Sequence, residues 1–369
     1  MPKGIQFLDP LLTESDIRAA VVVLRSGWIT HGPVTKAFEK NLTRYVGSRY
    51  AIFNSSGTAA LHVALLAAGV GPGHEVITSP LSYQATGNAI LYTGAKPVFV
   101  DVEPETGLID TKGVERAVTK RTRAILPVHL YGQMADMKAL STLARRRRLI
   151  VIEDSAHAIE SVRDGIRPGQ RSFASCLSFH AAKNITCGEG GAVICNSKKA
   201  AALMTLLCEG GVKRGGGKRW QEILGYKYSG TQFQAAMLHS QLKRIGLQWR
   251  TRKALWKRYH DGLRDIPGVA ILREVPASTN AYHMFPIFLE PKRRDGMREA
   301  LARKGVQTSV HFNPIHLDPY WRKTFGYRSG HCPVAERLGL GEITLPLHLK
   351  LTAFQQERVI ALVREVMMA

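Results

Sequence analysis

The sequence predicts an α/β fold: a large domain built on a mostly parallel sheet, followed by a smaller C-terminal α+β domain. Three observations carry this expectation. From about residue 49, short β-rich runs alternate with amphipathic helical stretches, as strands joined by crossover helices do. From about residue 268 the pattern changes to shorter, mixed segments. No apolar run approaches the roughly 20 residues that a membrane-spanning helix needs.

Strands are expected at YAIFN (50–54), EVITS (75–79), PVFVD (97–101), RAILPV (123–128), LIVIE (149–153), SCLSF (175–179) and GAVIC (191–195). Helical stretches separate most of them: Thr58–Ala68, Gln84–Leu91, Thr111–Ala117 and Asp136–Arg147. In the last of these, Met137, Leu140, Leu143 and Ala144 recur at helical spacing, and the cations Arg145 to Arg148 complement the dipole at its end. SCLSF and GAVIC follow each other without a clear helix, so the strand order there need not be simple. The stretch Gly210–Arg219 holds five glycines and four cations and reads as a mobile loop. Thr231–Trp249 reads as one long connecting helix. Beyond it come ILRE, YHMFPIFLE, the helical RDGMREALARKG, VQTSVHF and a C-terminal helix from Thr352. A boundary near 245–265 divides the chain into 1–250, with an N-terminal helical segment, and 251–369.

The 369 residues are 45% apolar and 22% charged, which is the balance of a soluble globular protein and excludes disorder as the default. Five cysteines (Cys176, Cys187, Cys195, Cys208, Cys332) form no CxxC pair and no Cys/His cluster with metal spacing, so they read as reduced thiols and no metal is expected. Met1 to Pro10 lacks the apolar core and small-residue cleavage site of a secretory signal, and the expected location is the cytoplasm, away from membranes. Lys plus Arg exceed Asp plus Glu by 51 − 29 = +22, which favours anionic partners. Zinc-finger spacing, an RNA-recognition signature and basic-aromatic repeats are all missing. Phosphorylated small molecules are therefore the expected partners, and nucleic acid is not.

Three places fall just after strands, where ligands of parallel sheets bind. Asn54-Ser55-Ser56-Gly57-Thr58 opens a helix, and its small residues let N–H groups and hydroxyls reach an anion, although Ser and Thr are also ordinary N-caps. Asp154 ends the strand LIVIE, with His157 three residues on. Lys183 lies between a strand and a glycine-rich turn in SFHAAKNITCGEGG (178–191). Desolvation lowers the pKa of such a lysine and makes its amine a nucleophile able to form a Schiff base. An amine, an anion and a phosphate cradle are together the requirements of a pyridoxal phosphate (PLP) site.

These segments, with SGTAAL (56–61), GAKPVFVDV (94–102), PVHLYGQ (127–133) and IEDSAHA (152–158), resemble the DegT/DnrJ/EryC1/StrS family of PLP-dependent nucleotide-sugar aminotransferases. The similarity runs from Gly27-Trp28-Ile29-Thr30, through His311-Phe312-Asn313-Pro314-Ile315-His316, to Leu345-Pro346-Leu347. It implies the aspartate-aminotransferase-like fold (fold type I).

By that resemblance Lys183 is the Schiff-base lysine and Asp154 pairs with the pyridine nitrogen. His157 lies near the phenolic oxygen, and Tyr83 stacks on the ring. Gly57, Thr58 and Ser178 hold the phosphate. Lys227, in Gly225-Tyr226-Lys227-Tyr228, belongs to a segment that reaches the neighbouring subunit's site, which implies a homodimer with shared sites. Many members have Asn where this chain has Lys227 and Arg where it has Ser229. Thr30, His311 and His316 are candidate sugar-nucleotide contacts, with the loop Gly210–Arg219 a candidate for the diphosphate.

The reaction implied is transamination, with pyridoxamine phosphate as the alternate cofactor form and glutamate as donor. The acceptor is a nucleoside-diphosphate keto-deoxyhexose, aminated at C4 or alternatively C3. Members with His at the lysine position are dehydrases, a branch that Lys183 argues against. A PLP-binding sensor without turnover, and a nucleic-acid binder resting on charge alone, are the competing classes.

Overall fold

The computed structural model describes residues 4–368; residues 1–3 and 369, the outermost positions of the two expected domains, lie outside the described residues. Two helices come first, α1 (Glu14–Arg25) and α2 (Pro33–Val46). Alternation then begins with β1 (Tyr50–Asn54), α3 (Gly57–Ala67), β2 (Glu75–Thr78), α4 (Gln84–Tyr92) and β3 (Lys96–Phe99). It continues through α5 (Thr111–Ala117), β4 (Thr122–Leu126), α6 (Met137–Arg147) and β5 (Ile150–Asp154). After the short β6 (Val162–Arg163) come β7 (Ala174–Ser178), β8 (Gly191–Cys195) and α7 (Lys198–Cys208).

Seven strands form one sheet in the order β1-β8-β7-β5-β4-β2-β3. Pairings from β7 through β5, β4 and β2 to β3 are parallel, and β8 alone runs against both its neighbours, β7 and β1. The missing helix between SCLSF and GAVIC is the reason. A parallel return needs a crossover, usually a helix, and the twelve residues 179–190 contain none, so the chain turns back and makes β8 antiparallel. That loop carries Lys183.

Where the sequence suggested a mobile loop at Gly210–Arg219, the chain forms a hairpin of β9 (Val212–Gly215) and β10 (Lys218–Gln221). The glycines Gly216 and Gly217 supply the two positive φ angles (55° and 75°) of a tight two-residue turn, a use of glycine that composition alone does not reveal. The single long helix expected over Thr231–Trp249 is two, α8 (Gln232–Leu242) and α9 (Ile245–Leu263). At the break Arg244 leaves helical geometry (φ −117°, ψ 11°) and its guanidinium clasps the buried Asp16 of α1, one N–H···O contact being 2.8 Å. An ion pair outweighs helix continuity here.

The C-terminal part contains β11 (Ser278–Thr279), β12 (Phe285–Phe288), α10 (Pro291–Arg303), α11 (Pro319–Phe325), α12 (Pro333–Gly341), β13 (Glu342–Leu345) and α13 (Ala353–Met368). β12 and β13 pair antiparallel. The segments ILRE and VQTSVHF form no strand: the first lies beside the bridge of Ala270 with Phe288, and the second makes isolated bridges of Val306 with Ile5 and Ser309 with Thr344. One apolar cluster unites this region through Tyr259, Phe285, Ile343 and Val359, and Ile5 joins it from the N-terminus. The five cysteines are free and buried. No described helix is long and apolar enough to cross a membrane.

Arg244→Met should strand the Asp16 carboxylate in the interior and destabilise the fold by about 3 kcal/mol, with Asp16→Leu/Arg244→Met recovering part of the loss. Calorimetric melting of both variants checks this, and an unchanged midpoint for the single variant would remove the pair's structural role.

Candidate active site

The carboxyl ends of β2, β4, β5 and β7 open on one side of the sheet, and the turns that follow them line a cleft of about 380 Å³. Lys183, Asp154, His157, Tyr83, Ser178 and Thr58 all line it, as do Gly57 and His311. Sequence positions from 57 to 311 are thus brought together.

At the β1–α3 turn, Ser56 caps the helix, accepting the Ala59 N–H at 3.1 Å. The helix start therefore presents Gly57 and Thr58 to the cleft with the positive end of its dipole behind them. Packing is tight: a Cβ on Gly57 would lie 3.0 Å from the Cβ of Ser178, and one on Gly191 only 2.3 Å from the Ser56 carbonyl oxygen. Glycine at 191 lets β8 pass directly under the turn.

Asp154 ends β5, and its carboxylate is fixed twice. Thr86 of α4 donates to Oδ2 at 2.7 Å, and the Ala156 N–H to Oδ1 at 3.2 Å. Ser82 bonds Thr86 in turn at 2.7 Å. Opposite, the loop 179–190 is pinned by Gln241 of α8, which accepts from the Thr186 N–H (2.9 Å) and donates to the Thr186 carbonyl (2.7 Å). Lys183 keeps part of its surface open to the cleft, yet its amine lies among protein atoms. Desolvation brings its pKa down to about 8, against the opposing pull of Asp154. The amine thus stays mainly an ammonium at neutral pH but gives up its proton far more readily than a solvated lysine, and it shares the cleft with the fixed carboxylate of Asp154.

His157 is buried, and desolvation, with Lys183 and His311 nearby, holds it well below the ordinary imidazole range. Its Nδ1 faces the Tyr131 N–H at 3.3 Å and accepts from it, so the neutral ring carries its proton on Nε2. Phe312 stacks on His157 (5.9 Å, 19°) and approaches Tyr83 (6.1 Å). Tyr83 itself is 60% exposed at the mouth. His311 is pushed down to about 4 by burial and by Lys183, and its Nδ1 lies 2.9 Å from Thr344 Oγ1.

Three residues with assigned roles stay outside the cleft of their own chain. His316 is fully buried and bonds Glu336 at 2.9 Å, in a packed cluster with Phe99 and Tyr327. Its place in the HF-x-P-x-H motif is met by packing, and the expectation that it contacts substrate is corrected. Thr30 is exposed on the loop before α2. Lys227 is exposed too: Tyr226 and Tyr228 turn inward on His62, so the residue between them faces out.

Sequence reasoning missed Thr86, Ser82, the buried His129–Glu153 pair (2.7 Å) and Phe312 as parts of the site. PVHLYGQ and the HF pair did point at two of them. Thr86, inside an ordinary helical stretch, gave no signal.

The residues fit PLP: a lysine amine, a fixed carboxylate across from it, a helix start with Gly57, Thr58 and Ser178, and a cleft of matching room. Fold and cleft together define a fold type I PLP enzyme. A model of the DegT/DnrJ/EryC1/StrS aminotransferase family matches residues 10–364, and the chain belongs to that family as a PLP-dependent aminotransferase. SpsC, the spore coat polysaccharide biosynthesis protein of Bacillus subtilis, is 35% identical over 371 residues, covering 97% of this chain and 95% of SpsC. The structure of DesV from S. venezuelae is 34% identical with a TM-score of 0.94, covering 100% of this chain and 99% of that one. The PLP form of Spr1654 from Streptococcus pneumoniae is 29% identical, TM-score 0.94, covering 99% of each chain.

Thr86→Val removes one of the two donors that hold Asp154, and PLP should bind the apo-protein about tenfold more weakly. Fluorescence titration measures this; unchanged affinity would mean that the Ala156 N–H suffices. In the apo-protein the Lys183 amine is neutral above its pKa of about 8, so its trapping by a small aldehyde should rise with pH and level off there. A profile still climbing towards the ordinary lysine value of 10.5 would contradict desolvation of the amine.

Proposed function

We propose that this aminotransferase aminates C4 of a nucleoside-diphosphate 4-keto-6-deoxyhexose, with glutamate as amino donor, for amino-sugar and glycan-precursor biosynthesis. The observation that carries the reading is Lys183 placed across the cleft from Asp154, in a chain whose family and relatives include sugar-pathway proteins. We further assign 1–250 to cofactor binding and 251–369 to the smaller domain that supplies His311.

When bound, PLP supplies an electron sink for the carbon that loses its proton. Gly57, Thr58 and Ser178 would hold its phosphate and Asp154 its ring nitrogen, where a fixed negative charge keeps that nitrogen protonated. His157, a donor at Nε2, would face the phenolic oxygen, and Tyr83 the ring. Lys183 performs the chemistry of the chain itself. With a pKa near 8 it is available as a free base, takes a proton from the reacting carbon and returns it on the other side of the reaction. The phenyl ring of Phe312 and the neutral His311 cover this region and limit water around that amine.

Lys227 serves the cleft of a second subunit in this reading, which makes the working unit a homodimer. Its outward direction supports that role. Thr30 and the cationic β9–β10 hairpin, exposed on the same chain, would meet the nucleotide diphosphate there. The surplus of +22 charges suits so anionic a substrate.

Glutamate alone should bleach the visible band of the PLP-loaded protein, and the 4-keto-sugar nucleotide should restore it; Lys183→Ala should do neither catalytically. Restoration by 3-keto sugars only would move the site of amination. Mixing Lys183→Ala with Lys227→Ala subunits should return part of the activity that each variant lacks. Were the mixture as inactive as its parents, the sites would not be shared.

A further inference from the structure

Behind Lys183, towards α9, lies a buried polar cluster to which no role has yet been given. Asn184, next to the lysine, donates from its amide nitrogen to Glu160 Oε2 at 2.9 Å and to the Ala281 carbonyl at 2.8 Å. With both N–H groups committed, its amide oxygen faces His283, whose Nδ1 is 3.1 Å away. An amide oxygen only accepts, so Nδ1 of His283 carries a proton. Burial holds this ring well below the ordinary imidazole range, helped by His157, Lys183, Arg252 and His311 around it. The ring is therefore neutral, and its Nε2 is a bare lone pair.

That lone pair has no hydrogen-bond partner among the described residues. Leaving a buried acceptor unmet is costly, so the arrangement calls for a donor. His283 lines a cavity of about 10 Å³ with Lys183, His157, Ser155, Asn184 and Ser178. Such a space admits one small polar group and no more. Ser155 is engaged with Ser175 at 2.6 Å, and the Asn184 donors are spent. His157 and Ser178 also face the cleft, where cofactor contacts are assigned to them. Lys183 lines both spaces, and its amine offers up to three N–H donors.

We propose that His283 is a positioning residue for Lys183: the two share the small cavity without a direct hydrogen bond here, and a turn of the lysine side chain brings its protonated amine to the open Nε2 of His283. The partnership holds the amine at the rear of the cleft while it carries a proton, and it rests on the role of Lys183 given above. Around the pair, Asp154 faces the amine from the cleft and His311 from its rim. Arg252 and Glu160, which Asn184 links to His283, close the cluster from behind. Glu160 is pushed up to about 7 by burial, with Arg252 and Asn184 drawing it back.

Two variants separate positioning from packing. His283→Asn keeps a donor at the Nδ1 place and deletes the Nε2 acceptor; His283→Gln sets an amide oxygen at the Nε2 place. The apo-protein is treated with a small aldehyde and borohydride across pH, and modified Lys183 is counted by mass spectrometry. In the Asn variant the lysine pKa should fall by about 1 unit from its native value near 8, since its ammonium has lost an acceptor, and Gln should bring it back. In the loaded enzyme kcat should fall about tenfold in the Asn variant while KM for the amino donor holds. An unmoved titration in the Asn variant, or equal shifts in both variants, overturns the proposal. Trapping at some lysine other than Lys183 would instead overturn the assignment beneath it.

Discussion

Placing an ammonium-bearing side chain opposite a fixed carboxylate in a largely desolvated cleft is the constraint around which this protein is arranged. Lys183 and Asp154 sit on turns that leave adjacent strands, β7 and β5, so the central sheet sets their separation. Neither group could hold its place alone. Asp154 is oriented by Thr86 from α4 and the Ala156 N–H, and the Lys183 loop is clamped by Gln241 of α8. Elements from four parts of the chain thus converge on two side chains. A lysine left in water would stay protonated at neutral pH and could not act as a base.

The single antiparallel strand follows from the same requirement. Had a crossover helix joined β7 to β8, regular structure would stand where the Lys183 loop now turns. The antiparallel return brings Gly191 under the β1–α3 turn, close enough that any side chain would collide with Ser56. The Lys183 loop and the β1–α3 turn are consequently one packed unit, and in the proposed function the helix dipole of α3 and the amine of Lys183 would serve the same ligand.

Much of this was legible in the sequence. The central strand runs and the helices between them fall where periodicity puts them, because most residues of those strands are buried and the helices cover the sheet. Lys183, Asp154 and the Gly57–Thr58 turn were recognisable because chemistry needs those residue types after strands. What escaped depends on long-range partners. The break before α9 exists because Arg244 reaches Asp16, some 228 positions earlier. His316 looked like a ligand because its motif resembles one, but only the fold shows Glu336 beside it. Thr86 and His283 are ordinary residues in ordinary elements, and their meaning comes from what they touch.

Lys227 shows how a sequence pattern and a fold can together say more than either. Alternation packs the half-buried Tyr226 and Tyr228 against His62 and turns the lysine between them to solvent. The packed aromatic neighbours fix where the backbone of Lys227 lies, so its side chain is directed away from its own chain. The cradle proposed for the phosphate consists of a helix start, small side chains and hydroxyls, with no arginine or lysine besides Lys183 among the cleft-lining residues. A dianionic phosphate would be better balanced by one more cation. In the proposed homodimer the segment that presents Lys227 would supply that cation to the cradle of a second copy of the chain.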